Sequence, residues 1–203
     1  MLYGVFLAAA REEYAKAAAE AKLALDLAPL SQYVNTSAAW VHVFVDNHAE
    51  AIEQARGALE LFPESLQGYY TLGLAVLGRG GYEEAISVFE KAAAISPDAI
   101  SISYLGHAQA RAGHVDAAIR LTGELLARSE REHIPPRTLA ILYTGLGDFD
   151  RAFEWLERAF RARDSGLLWL RVLPLYDSLR SDPRFEGILR RVGLLSGDSG
   201  QAA

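Results

Sequence analysis

The sequence contains no cysteine. That excludes a disulfide framework, thiol catalysis and any Cys-based metal site. It also lacks a strong excess of either charge, with 20 basic and 26 acidic side chains and a net charge of -6. With a pI near 5.4 it has no basic footprint for general nucleic-acid binding. No apolar run reaches the roughly 18–20 residues that span a bilayer, so no membrane association is expected. What is present is 51% hydrophobic and 23% charged, the balance of a packed globular chain rather than a disordered one. A length of 203 residues corresponds to one or two domains and is close to six units of 34.

The periodicity is explicit. Tyr69, Leu72, Gly73 and Val76 are followed by Ala85, Phe89, Ala92 and Pro97. Steps of 33 or 34 residues link Ala17, Ala51, Ala85, Ala118 and Ala152. A proline recurs at Pro29, Pro63 and Pro97, and a glycine at Gly80, Gly113 and Gly147. A small residue recurs at Ala39, Gly73, Gly106 and Ala140. Two helices approach to about 8–10 Å only where the crossing residues are small. Gly73 is therefore expected to face Ala85, and Gly106 to face Ala118. Proline lacks an amide hydrogen and closes each pair. A single pair cannot bury its own apolar face, so the pairs must stack.

These residues resemble the tetratricopeptide repeat over essentially all of residues 1–192. The resemblance implies an all-α, right-handed solenoid of about five helix pairs plus a C-terminal helical cap. A single domain is expected over 1–195, with repeats at about 1–31, 32–65, 66–98, 99–132 and 133–166, a cap at 167–195 and a flexible tail at 196–203. Helices are expected at 1–10, 13–27, 31–45, 48–61, 65–78, 82–95, 99–112, 115–128, 136–146 and 149–162. The alternation in Trp40–Val45 is strand-like, but the repeat register makes it helix. Glu154–Arg158 and Glu157–Arg161 are spaced as helix-stabilising pairs. Asp182-Pro183 starts a last amphipathic helix through Phe185, Ile188, Leu189 and Val192.

The stretches Leu139–Asp148, Arg151–Ala159, Asp177–Phe185 and Leu189–Gly193 are similar to the C-terminal repeat region of bacterial signalling proteins. Such regions follow a winged-helix, nucleotide-cyclase or Ser/Thr-kinase domain, and no such part is present here. The resemblance implies a cytoplasmic binding module rather than an enzyme. No cofactor is expected.

In such a stack the first helix of each pair lines the concave face. Residues pointing inward are expected to be Tyr33, Thr36, Trp40 and Phe44, then Tyr70 and Leu74, then Ser103, His107 and Arg111, and finally Arg137 and Ile141. The groove would be apolar and aromatic at one end and cationic at the other. It would dock a peptide or protein segment with apolar anchors and a nearby acidic group. The family's carboxylate clamp needs inward Lys and Asn, whereas Phe6, Thr36, Trp40 and Tyr70 stand in the comparable places.

Met1 falls inside the first helix of its unit, about three residues late by the 34-residue count, which suggests a truncated context. MLYGVFLAAA lacks the basic start of a signal peptide and keeps the repeat register. Its Leu2, Val5 and Phe6 offer an alternative role, self-association with a second chain. Gly197-Asp-Ser-Gly200 copies a serine-protease signature but sits in a polar tail without a β-barrel around it. Gly78–Gly81 and Gly145–Gly147 follow helices, whereas phosphate loops follow strands. No pair among the five histidines has the four-residue spacing of a helical metal site.

Overall fold

The computed structural model describes residues 13–195. The expected helix at 1–10 and the tail at 196–203 lie outside the described residues, as do Leu2, Val5 and Phe6. Ten α-helices run in order among the described residues: α1 (Tyr14–Leu27), α2 (Gln32–Phe44), α3 (His48–Leu61), α4 (Leu66–Gly78), α5 (Tyr82–Ile95), α6 (Ala99–Arg111), α7 (Val115–Ser129), α8 (Pro136–Leu146), α9 (Phe149–Arg161) and α10 (Pro183–Val192). There is no strand among them, and Trp40–Phe44 is helical.

Local chemistry explains the boundaries. Ser31, Ser65 and Asp98 each accept a backbone N–H of the helix they start, at 3.4, 3.2 and 2.9 Å. Such a side-chain cap satisfies an otherwise unpaired amide. The turn after α4, α6 and α8 needs a left-handed residue, and Gly80, Gly113 and Gly147 supply it at φ of 84°, 92° and 75°. After α2 the same place is taken by Asp46 at φ 55°, a residue type that tolerates this region. Pro29, Pro63 and Pro97 stand two residues beyond the ends of α1, α3 and α5.

Even-numbered helices α2, α4, α6 and α8 form one layer and odd-numbered α1, α3, α5, α7 and α9 the other. The recurring alanines Ala17, Ala51, Ala85, Ala118 and Ala152 are all fully buried between them. The nearest neighbours of the recurring glycines are large side chains. A methyl group on Gly73 would sit 2.3 Å from the Phe89 ring, and one on Gly106 would sit 2.3 Å from Leu142. Glycine therefore admits a large side chain of a neighbouring helix.

The chain ends by imitating one more pair without completing it. Arg184 on α10 reaches Asp150 on α9 at 2.7 Å, and Arg191 reaches Glu157 at 3.0 Å, each exactly-in-register pair 34 residues apart. So α10 occupies the second-helix position of a further unit. Glu157 thus spends its carboxylate on Arg191, chiefly through that hydrogen bond, which holds its pKa below the usual range. Arg158 lies over the Trp155 ring at 4.2 Å, not on Glu154. Where the preceding first helix should be, the chain makes two short 3-10 turns, Ser165–Trp169 and Pro174–Leu179. Pro174 offers no amide and its ring would clash with the carbonyl of Leu170, so an α-helix cannot run through.

No described helix is long and apolar enough to cross a membrane. Among the described residues no group of three His, Asp or Glu side chains is placed to hold a metal ion.

Candidate functional site

The two 3-10 turns fold back onto the inner helices. Leu170, Leu173, Leu175, Tyr176 and Leu179 are all buried there. Trp169 stacks on Phe44 of α2 with ring centroids 5.2 Å apart and planes 14° from parallel, and meets Trp40 at 6.5 Å. Tyr176 is the largest of the fully buried side chains. Burial pushes its phenol well above the ordinary tyrosine pKa. The middle of the inner face, between Tyr70, Tyr104, Ile141 and the turn residues Leu173 and Tyr176, is thereby reduced to a crevice of about 190 Å³.

An open cleft of about 770 Å³ remains at the N-terminal end. Its walls are Tyr33, Trp40 and Trp169, its floor Thr36, Ser37 and Phe44, and its rim Ser31, Gln32 and Gln67. Helical spacing explains the grouping, because residues 33, 36, 37, 40 and 44 recur on one face of α2. Tyr33 is 52% exposed, whereas Trp40 and Trp169 are half-buried. The Trp40 indole N–H is buried without an acceptor. A buried unpaired donor of this kind costs about 1–3 kcal/mol.

Four of the expected groove residues, Tyr33, Thr36, Trp40 and Phe44, thus share this cleft. Tyr70, Arg137 and Ile141 line the crevice closed by the chain itself. Tyr70 is buried, and its hydroxyl is 2.8 Å from Ser101 Oγ and donates to Asp98 Oδ1 at 3.2 Å. Burial raises the Tyr70 pKa well above the ordinary tyrosine range and raises that of neighbouring Tyr104 to about 12. Leu74, Ser103 and His107 are buried and offer no open surface. The Ser103 hydroxyl donates to the Ile100 carbonyl at 2.8 Å.

His107 binds within the fold. Its Nδ1 donates to the Ile141 carbonyl at 3.0 Å, joining α6 to α8. Gly145 leaves it room, since a methyl there would sit 2.8 Å from the His107 Cα. Burial lowers the His107 pKa to about 4, so the ring is neutral at neutral pH. Burial lowers that of His42 too, against the opposing charge of Glu50.

The two arginines expected at the cationic end of the groove stand differently. Arg137 is paired with Asp164, which is itself buried and also accepts the Gly166 amide at 2.9 Å. Arg111 lies at the exposed end of α6, over the Tyr82 ring at 5.4 Å and donating to its hydroxyl at 3.1 Å. Sequence reasoning missed Trp169, Tyr176 and Asp164. The signal was there in Pro174, which forbids the helix that would otherwise have kept these residues in a sixth pair.

Fold and inner face together define a stacked helical-hairpin protein with a binding-type concavity. The tetratricopeptide-repeat profile matches residues 36–100 and again 138–165. The chain is a tetratricopeptide-repeat protein. It is similar to tetratricopeptide repeat protein 37 of Xenopus laevis, 29% identical over 142 residues, which are 62% of this chain and 9% of that protein. It is also similar to mouse superkiller complex protein 3, 28% identical over 95 residues, 46% of this chain and 6% of that one. The chain therefore spans less than a tenth of either relative. Among solved structures, a thermophilic tetratricopeptide-repeat protein of Thermus thermophilus superposes with a TM-score of 0.62 at 23% identity, covering 87% of this chain and 95% of that one. A tetratricopeptide-repeat protein of Parabacteroides merdae superposes at 0.54 with 15% identity, covering 92% and 75%. Repeats of this family generally serve as protein-interaction scaffolds.

Proposed function

We propose that this protein is a non-catalytic scaffold that captures a partner peptide or protein segment on its concave face. The open cleft between α2 and Trp169 is the observation that carries this reading. It is concave, walled by aromatic rings and floored by a few polar atoms, the usual make-up of a recognition site. Tyr33, Trp40 and Trp169 supply large rigid surfaces of the kind that dominate binding energies. The closed crevice at Tyr70, Arg137 and Ile141 leaves the N-terminal cleft as the place of entry. In the same reading the repeat stack acts in the cytoplasm, within a regulatory protein of the kind its C-terminal stretch resembles.

The test is peptide selection from a randomised dodecapeptide library on the whole chain, followed by titration of the selected peptides. Tyr33→Ala and Trp40→Ala should each weaken binding about tenfold or more, as hot-spot aromatics do, while the helical circular dichroism stays. Selected peptides that bind both variants as tightly as the parent chain would remove the cleft assignment.

Self-association at the N-terminal end is a second reading. Leu27 and Leu30, 77% and 78% exposed, favour it by leaving apolar surface uncovered at the end of α1 and in the turn after it.

A further inference from the structure

We propose that the segment docking in the N-terminal cleft carries an uncharged aromatic or aliphatic anchor flanked by basic residues, not an acidic group. This rests on the reading that the cleft docks a peptide.

Three observations carry it. None of the described residues around the cleft is charged, so a charged anchor would shed its hydration with no counter-ion to meet it. Of the cations expected to greet an acidic partner, Arg137 is neutralised by Asp164, and Arg111 lies at the exposed end of α6, outside the lining of this cleft. The stretch of chain around the cleft is net acidic, with its excess acid on α3 and at Asp46 and Glu64 between helices and none on α2 itself. Residues 14–64 contain seven acidic and three basic side chains. One of those three, Arg56, is bonded to Glu84 at 2.7 Å.

A field of this sign steers cationic segments toward the site and repels anionic ones. Contact reinforces it. The exposed Tyr33 ring and the half-buried Trp40 and Trp169 rings present faces that attract a guanidinium or ammonium. The partly exposed Trp169 ring offers an aromatic anchor a partner in tilted or offset geometry.

Two synthetic peptides with one selected anchor, flanked either by lysines or by glutamates, decide the matter by calorimetric titration of the full chain. The lysine peptide should bind about fivefold tighter at low salt, the scale of a few exposed charge pairs. Its advantage should shrink as salt is raised. Gln67→Lys, at an exposed rim position, should weaken the lysine peptide and spare the glutamate one. Equal or tighter binding of the glutamate peptide, or indifference to salt and to Gln67→Lys, overturns the charge preference while leaving the cleft reading intact. If the selected anchors bind Tyr33→Ala and Trp40→Ala undiminished, or if no peptide is selected, the cleft reading fails and this inference fails with it.

Discussion

Trp169 stacks on Phe44 at 5.2 Å, joining the C-terminal segment to the first inner helix of the described structure. The contact draws the chain's end across the concave face. It sets one wall of the open cleft and closes the space beyond it.

Trp169→Ala is expected to lower stability by about 2 kcal/mol, below the cost of a fully buried tryptophan because the ring is half-exposed. Chemical denaturation measures it. Proteolysis between residues 163 and 181 should quicken, since the turns there would lose their anchor. A protease pattern identical to that of the parent chain would mean that Trp169 does not hold this segment down.

Stability should fall in mild acid because of His107. Its folded pKa of about 4 lies below the ordinary 6.5, so between these values the unfolded chain binds the extra proton. The full contribution is present above about pH 6.5 and is lost progressively down to about pH 4. A shift of this size corresponds to roughly 3 kcal/mol. Urea midpoints measured across that window should show a slope that His107→Gln reduces, His42 supplying part of the remainder. A parallel slope in the variant would assign the acid sensitivity to other groups.

The glycines separate into two kinds. A methyl on Gly166 would lie 2.2 Å from Arg137 Cδ. Gly166→Ala should therefore dislodge the arginine from Asp164 and cost about 1–3 kcal/mol. Gly57, Gly123 and Gly187 sit in helices with nothing within 4 Å of such a methyl. Alanine at these three positions should raise stability by about 0.4–1 kcal/mol each. Thermal melts of the four variants read both signs.

Ala85→Leu and Ala118→Leu place extra volume in fully buried helix contacts. Each should cost about 1–3 kcal/mol through overpacking. Neutral results at both would contradict the helix register.

The self-association reading predicts a concentration-dependent mass. Sedimentation at micromolar protein should show a dimer that Leu27→Lys with Leu30→Lys reduces to a monomer. A monomer throughout excludes it.

Much of the fold was legible because its causes are local. Small residues at repeat spacing, left-handed glycines and serine or aspartate caps each act within a few residues, and the helices lie within one residue of the expected bounds. The site was less so. Inward-pointing positions on α2 could be read from helical periodicity, and Tyr33, Thr36, Trp40 and Phe44 do share a cleft. On α4, α6 and α8 the same periodicity could not reveal that another part of the chain already lies against it. Arg137 looked like a free cation because its partner, Asp164, is remote in sequence.

By itself, then, the sequence determined the helical hairpins and their stacking, since backbone geometry and short-range apolar patterning suffice for both. Only tertiary packing decided which stretch of the inner face stays open. Pro174 prevents one more helix, but where the freed segment comes to rest depends on shape and burial against distant rings, which no local pattern encodes.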